Sequence, residues 1–325
     1  MMARPPALSH GLAVGVAVAT IATVIAALTF RGGAGVPARI LVPTGAGQGG
    51  ALLGAADQKD QGLIVFASKL HGRFHLHLIN PDGSGERVLT SGRGEEFSPA
   101  WSPDRELVAF AASPRAGDQR PAADIYVVRT DGTGLSRVTS GSENDEDPTW
   151  SPDGTHIAFT ASDRSTGRTR IRIASLDGST VAPLPEPPMG CLDREPAWSP
   201  DGVTIAFARQ CQGGSSRLFL IHVDGTGLLR MAGFGRTPAW SPDGSKLAYT
   251  GWGRYAPAIY VVNSDGSGTV QLTTDGTGDP TWSPDGSRIV FTLGALALRL
   301  FVIDVDGHNE RPLTRGTSDQ VTPAW

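Results

Sequence analysis

The stretch PAWSPDGVTIAF at residues 196–207 decides the fold, because close copies stand at 99–110, 148–159, 238–249 and 280–291. In Ser-Pro-Asp-Gly, proline presets φ at the second position of a type I turn and glycine takes the fourth, so the motif joins two antiparallel strands. The apolar run behind it (LVAF, IAF, LAY or IVF) is the second of those strands. A third follows, such as DIYVV at 124–128 or AIYVV at 258–262. Asp-Gly, beginning at 82, 131, 177, 224, 265 and 306, then makes the next tight hairpin. A short fourth strand often ends in Leu-Thr or Val-Thr.

Each unit is thus a four-stranded antiparallel sheet, which cannot bury both faces alone and must stack on its neighbours. Radial closure does this and protects the edges. Six Pro-Xaa-Trp strands end at Trp101, Trp150, Trp198, Trp240, Trp282 and Trp325, and six second strands begin with IVF at 64–66. The first unit lacks its own first strand, and Pro-Ala-Trp at 323–325 has nothing after it. The expected fold is therefore all-β: a six-bladed β-propeller of four-stranded blades over 62–325, in which the C-terminal strand closes the first blade. The six tryptophans are expected to pack between blades.

PxWSPDGxxIAF followed by IYVxxxDG and Leu-Thr resembles the WD40-like (PD40) repeat of the TolB carboxy-terminal propeller, over residues 62–325. The resemblance implies a six-bladed ring and, for TolB, docking of a lipoprotein partner in the envelope. TolB carries a folded α/β domain before its propeller, for which residues 31–61 are too few, so the likeness is expected to be one of the propeller alone. Arg105 stands where the other turns have glycine. The same repeat occurs in propellers of some serine peptidases, but the chain has no GxSxG nucleophile elbow.

Outward from the repeat, Gly11 to Phe30 runs for 20 residues without a charge. As a helix it would be roughly 30 Å long, the thickness of a bilayer's hydrocarbon core. Signal peptides have shorter apolar cores of about 7–15 residues, so the run is expected to be an uncleaved transmembrane anchor after a tail of residues 1–10, with secretion after cleavage as the alternative. Residues 31–61, rich in Gly and Ala, are expected to be a flexible linker. A net charge of −4 gives no basis for a nucleic-acid groove. GxGxxG at 45–50 lacks the βαβ unit a dinucleotide site needs.

Length variation locates the functional face. Each repeat Trp lies nine residues before the aromatic of the second strand (101 to 110, 150 to 159, 198 to 207, 240 to 249, 282 to 291), and the Asp-Gly turn is also fixed. The differences fall between strands two and three and between units, loops that share one face of the ring. Variable loops on a rigid scaffold are where binding resides. The loops between units are acidic, and Glu96, Asp145, Asp147, Asp193, Glu195, Asp279 and Asp319 are candidate ligand-binding residues near the channel mouth, able to attract a cation or a basic partner segment. The competing reading is a solvated face, or carboxylates capping nearby amides. Trp252 and Tyr255, in a loop between strands two and three, are candidate binding anchors. His75 and His77 share a strand face, and His77 takes the packing slot of Tyr126, Phe219, Tyr260 and Phe301. No metal site or cofactor is expected; the Glu143–Asp147 run lacks the EF-hand pattern. Cys191 and Cys211 fall opposite each other on one hairpin and are expected to form a disulfide, which favours a propeller outside the cytoplasm.

These features describe a non-catalytic, membrane-anchored extracytoplasmic scaffold that binds a protein, peptide or envelope ligand at the variable face. The alternative is a propeller enzyme, a sugar lyase or lactonase-like hydrolase, with a carboxylate or cation site at the channel mouth.

Overall fold

The computed structural model describes residues 62–92, 94–113, 122–177, 179–181, 184–231, 233–253, 256–274, 278–294, 297–316 and 318–325. The apolar run at 11–30 and the linker at 31–61, with the anchor and tether expected there, lie outside the described residues, as do Tyr255, Arg115, Arg120 and Arg254. No helix among the described residues is long and apolar enough to cross a membrane.

Six antiparallel sheets of four strands make the blades. Blade one holds β1 (Ile64–Leu70), β2 (Arg73–Ile79) and β3 (Arg87–Val88). Blade two holds β4 (Glu95–Trp101), β5 (Leu107–Ser113), β6 (Asp124–Arg129) and β7 (Ser136–Arg137). Blade three holds β8 (Asn144–Trp150), β9 (His156–Ser162), β10 (Thr169–Ser175) and β11 (Thr180–Val181). Blade four holds β12 (Cys191–Trp198), β13 (Thr204–Cys211), β14 (Arg217–His222) and β15 (Leu229–Arg230). Blade five holds β16 (Gly235–Trp240), β17 (Lys246–Trp252), β18 (Pro257–Asn263) and β19 (Val270–Gln271). Blade six holds β20 (Gly278–Trp282), β21 (Arg288–Leu293), β22 (Arg299–Asp304) and β23 (Arg311–Pro312). β24 (Gln320–Ala324) returns to pair with β1, matching Val65 with Ala324 and Ser68 with Gln320, so the ring closes as the repeat count requires.

The Ser-Pro-Asp-Gly turns show why each residue type recurs. The buried Ser hydroxyl donates to the Asp Oδ1 at 2.5–2.6 Å in all five turns. It also accepts, at 2.9 Å, the N–H of the residue five places on, where the second strand begins. The fourth position has φ of 69–76° at Gly154, Gly202, Gly244 and Gly286, and 60° at Arg105. A non-glycine residue there costs roughly 1–2 kcal/mol of backbone strain. Arg105 offsets this by donating to the Leu63 carbonyl at 2.5 Å and laying its guanidinium over the Trp101 ring, 4.3 Å from the centroid.

The core lies between blades. Trp150 packs with Ala109, Ala111 and Ile125 of blade two and Ile157 and Phe159 of its own blade. Trp101, Trp150, Trp240 and Trp282 each donate an indole N–H at 3.0–3.3 Å to the alanine carbonyl of the preceding blade's Pro-Ala-Trp. Where that blade has Pro-Thr-Trp, the threonine hydroxyl instead accepts the tryptophan's backbone N–H: Thr149 from Trp198 and Thr281 from Trp325, both at 3.2 Å. The indoles of Trp198 and Trp325 then turn to the carbonyls of Gly202 and Gly62.

Cys191 and Cys211 face each other in the β12–β13 register and are joined by a disulfide. At a sequence separation of 20, replacing both by Ala is expected to cost about 3 kcal/mol. Urea unfolding of the double variant against the parent checks this.

Candidate functional site

Each inner strand (β4, β8, β12, β16, β20, β24) carries proline just before the Xaa-Trp pair. Proline has no N–H to give the ladder, and the β4–β5, β8–β9, β12–β13, β16–β17 and β20–β21 registers all shift there. The residue before each proline is left-handed: Ser98, Asp147, Glu195, Thr237, Asp279 and Thr322 have φ of 48–55°. These six residues and their prolines line a funnel of about 140 Å³ where the channel opens on the variable-loop face. Its wall therefore carries three carboxyl groups and three hydroxyls in the order Ser, Asp, Glu, Thr, Asp, Thr, with two carboxyls adjacent at Asp147 and Glu195.

Hydrogen bonds run around this ring from blade to blade. Thr322 Oγ1 accepts the Ser98 N–H at 3.2 Å, and Ser98 Oγ donates to Asp147 Oδ1 at 3.0 Å. Thr160 Oγ1 donates to Asp147 Oδ2 at 3.1 Å while accepting the Glu195 N–H at 2.9 Å. Glu195 Oε2 accepts the Thr237 N–H at 2.7 Å, and the Asp279 carboxyl accepts that of Thr322. The bulges free these amides from the ladder, and the side chain of the neighbouring blade satisfies them. Glu195 and Asp279 thus cap backbone amides as well as lining the funnel, while Asp147 is held by two hydroxyls.

The electrostatics follow from this enclosure. All three carboxyls touch channel solvent yet are surrounded by protein. Burial pushes Asp147, Glu195 and Asp279 upward, Glu195 to about 7, and repulsion from Asp147 adds to it at Glu195 and Asp279. Arg194, exposed at the rim, opposes the shift at Asp147, and Arg236 opposes it at Glu195 and Asp279. Glu195 can therefore hold a proton near neutral pH, or exchange it for a cation.

A stability prediction follows. Unfolded Glu195 titrates near 4.5 and folded Glu195 near 7, so from pH 4.5 to 7 the folded protein keeps a proton that the unfolded chain has lost. Stability contributed by that proton is complete below pH 4.5 and is lost as pH rises to 7. The loss is on the order of 3 kcal/mol. Glu195→Gln keeps a carbonyl oxygen for the Thr237 amide and is expected to flatten the slope between pH 5 and 8. Urea unfolding at both pH values reads it out.

The other predicted residues sit elsewhere. Glu96 is buried behind the funnel, where Oε2 bonds His75 Nδ1 at 2.9 Å and the Thr90 hydroxyl at 2.5 Å, and Oε1 accepts the Gly92 N–H at 3.2 Å. Asp145 takes the equivalent place, bonded to Thr139 and pushed up to about 6 by burial. Gln320 bonds Thr314 in the same way. The threonines that end Leu-Thr and Val-Thr also accept a strand N–H at 2.9–3.1 Å (Leu76 to Thr90, Ile125 to Thr139, Leu300 to Thr314), so the motif staples a finished blade to the inner strand of the next. Asp193 is buried against Arg209 in two bonds of 2.6 and 2.7 Å. Asp319 caps the Leu298 N–H at 3.3 Å and lies 3.9 Å from Lys69 Nζ. Trp252 is 67% exposed at the end of β17. It stands beside the exposed Phe234, since Gly235 pairs with Gly251, and Arg217 covers the Phe234 ring at 3.9 Å. His77 packs on Phe66, 5.6 Å between centroids, and burial lowers its pKa against the pull of Glu86, to which it bonds at 3.0 Å. No group of three or more His, Cys, Asp or Glu among the described residues is arranged to hold a metal ion.

The ring's hydroxyl members, Ser98, Thr237 and Thr322, were not among the sequence candidates. The signal for them is position alone: each immediately precedes the proline of Pro-Xaa-Trp.

The profile of the TolB beta propeller domain family (PD40) matches residues 55–236 and 228–325. The Tol-Pal system protein TolB of Zymomonas mobilis is 44% identical over 48 residues, 15% of this chain and 10% of that protein, so the match spans about a tenth of the curated relative. Among solved structures, TolB from Acinetobacter baumannii superposes with a TM-score of 0.70 at 22% identity, covering 82% of this chain and 67% of that one. An oligogalacturonate lyase in complex with manganese does so with a TM-score of 0.56 at 18% identity, covering 79% and 75%. At these identities the structural likeness is one of fold.

Proposed function

The chain belongs to the PD40 family of TolB-type β-propellers, and from that premise we propose that it is a non-catalytic, membrane-anchored extracytoplasmic scaffold whose variable-loop face binds a protein or peptide, with a basic side chain entering the funnel. The observation that carries this reading is the convergence of Asp147, Glu195 and Asp279 at the channel mouth, enclosed and all pushed upward by burial, Glu195 to about 7. An ammonium or guanidinium there offsets the negative charge that deprotonation of these carboxyls leaves in the funnel. The exposed Trp252 and Phe234 beyond the funnel provide an aromatic anchor on the same face. The Cys191–Cys211 disulfide favours an oxidising compartment, and the apolar run at 11–30 is the proposed membrane anchor.

Site-specific photocrosslinking in the native membrane tests this. A crosslinker at Trp252 is expected to give a discrete adduct that Asp279→Lys abolishes, whereas one at Ser245, on the opposite face, gives none. An adduct at Trp252 that survives charge reversal would rule out the funnel as the recognition element.

One observation favours the second reading, a propeller enzyme of the sugar lyase or lactonase-like hydrolase kind. Glu195 lies near neutrality, where a general acid or base is most effective. Turnover of an oligogalacturonide that is lost in Glu195→Gln while crosslinking persists would select that reading.

A further inference from the structure

A second cavity, of about 400 Å³, opens on the fixed-turn face between blades five and six. Trp282, Leu272 and Val270 form its apolar wall, and Asp243, Asp285 and Gly286 of the two Ser-Pro-Asp-Gly turns flank it. At two other blade junctions the chain covers the repeated indole with its own arginine. Between blades one and two, Arg105 comes from the turn position that Gly286 holds in blade six, and its guanidinium lies over Trp101 at 4.3 Å from the ring centroid. Between blades six and one, Arg288 comes from the opposite wall, at the start of β21, and lies over Trp325 at 4.8 Å. Two independent positions thus deliver a guanidinium to the repeated indole.

Between blades five and six neither is delivered. Gly286 has no side chain, and a Cβ built on it would meet only Pro242 Cδ at 3.7 Å. Lys246 holds the position equivalent to Arg288, but its Nζ donates to Asn263 Oδ1 at 2.8 Å. Asp243 and Asp285 set two negative charges beside that ammonium, and Arg288 also acts on Asp285 from the far side of its turn. The Ser241 and Ser283 hydroxyls foremost, and then the turn amides, hold these carboxyls down at about 2, so both are ionised throughout the physiological range.

We propose that the cleft between blades five and six is a receptor for an arginine side chain presented by another polypeptide, its guanidinium seated on Trp282 and facing Asp243 and Asp285. This site is separate from the funnel and does not depend on what the funnel binds. An indole–guanidinium contact with flanking carboxylates gives millimolar affinity for an isolated side chain.

The test uses the full-length chain with ¹⁵N-labelled indoles, titrated by NMR with N-acetyl-arginine amide and with its uncharged isostere N-acetyl-citrulline amide. A saturable shift of the Trp282 indole is expected with the arginine derivative, and binding of the citrulline derivative about tenfold weaker or worse. Gly286→Arg recreates in this turn the residue that position 105 already carries, and is expected to plug the cleft and abolish the shift. If that variant fails to fold, Val270→Arg, which copies the place of Arg87 in blade one, serves as the plug. Absence of a saturable Trp282 shift, equal binding of citrulline, or a shift that survives a folded plug variant would overturn the assignment.

Discussion

A chain ending at Asp319 is expected to lose cooperative unfolding and to show no folded baseline in thermal or urea denaturation. The deletion removes β24, the inner strand of blade one, and leaves β1 with an unpaired edge. It also removes Trp325, which packs with Ile64, Phe66, Val290 and Leu300 across the seam between blades six and one. Burying the indole contributes about 3–5 kcal/mol. The lost ladder and the opened seam bring the total to the order of a domain's whole stability, about 5–15 kcal/mol. Trp325→Phe, which keeps the strand, is expected to remain folded with a lowered midpoint. A truncated chain that unfolds with the parent's midpoint would show that the ring does not depend on this joint.

The second large effect is expected for Trp150→Ala, a loss of about 3–5 kcal/mol. Trp150 is 7% exposed, and its removal opens a void bounded by Ala109, Ile125 and Phe159 while leaving the Ala100 carbonyl without its indole donor. Trp252→Ala, at a tryptophan outside the repeat slot, is expected to change stability by less than about 0.5 kcal/mol. Urea midpoints of the two variants against the parent measure the contrast, which separates the structural indoles from the exposed one.

The ring was legible because its unit is punctuated by chemistry. Ser, Pro, Asp and Gly each answer to a turn position, and counting Trp and Asp-Gly fixed six blades and the origin of the closing strand. The disulfide was legible for the same reason, since register around a two-strand turn is arithmetic. The funnel was legible only in part. On a regular strand, residues two apart share a face, so Glu96, Asp145 and Asp193 read as equivalent to the residues at 98, 147 and 195. The left-handed residue before each proline breaks that alternation, sending 98, 147 and 195 to the channel and leaving 96, 145 and 193 in bonds behind it. A residue before proline is ordinarily extended, so nothing in the sequence announced the turn inward. Ser98, Thr237 and Thr322 carry no charge, and a search for charge passes over them.

The Trp325 indole bond to the Gly62 carbonyl has a mechanical consequence. The first residue of the propeller and its last side chain meet at one point, on the side of the fixed turns. Tension applied through residue 62 runs lengthwise along β1, which is zipped on one side to β24 and on the other to β2. Such a pull shears both ladders at once instead of peeling them rung by rung. Under such a pull the joint that closes the circle is also the one that carries the tension.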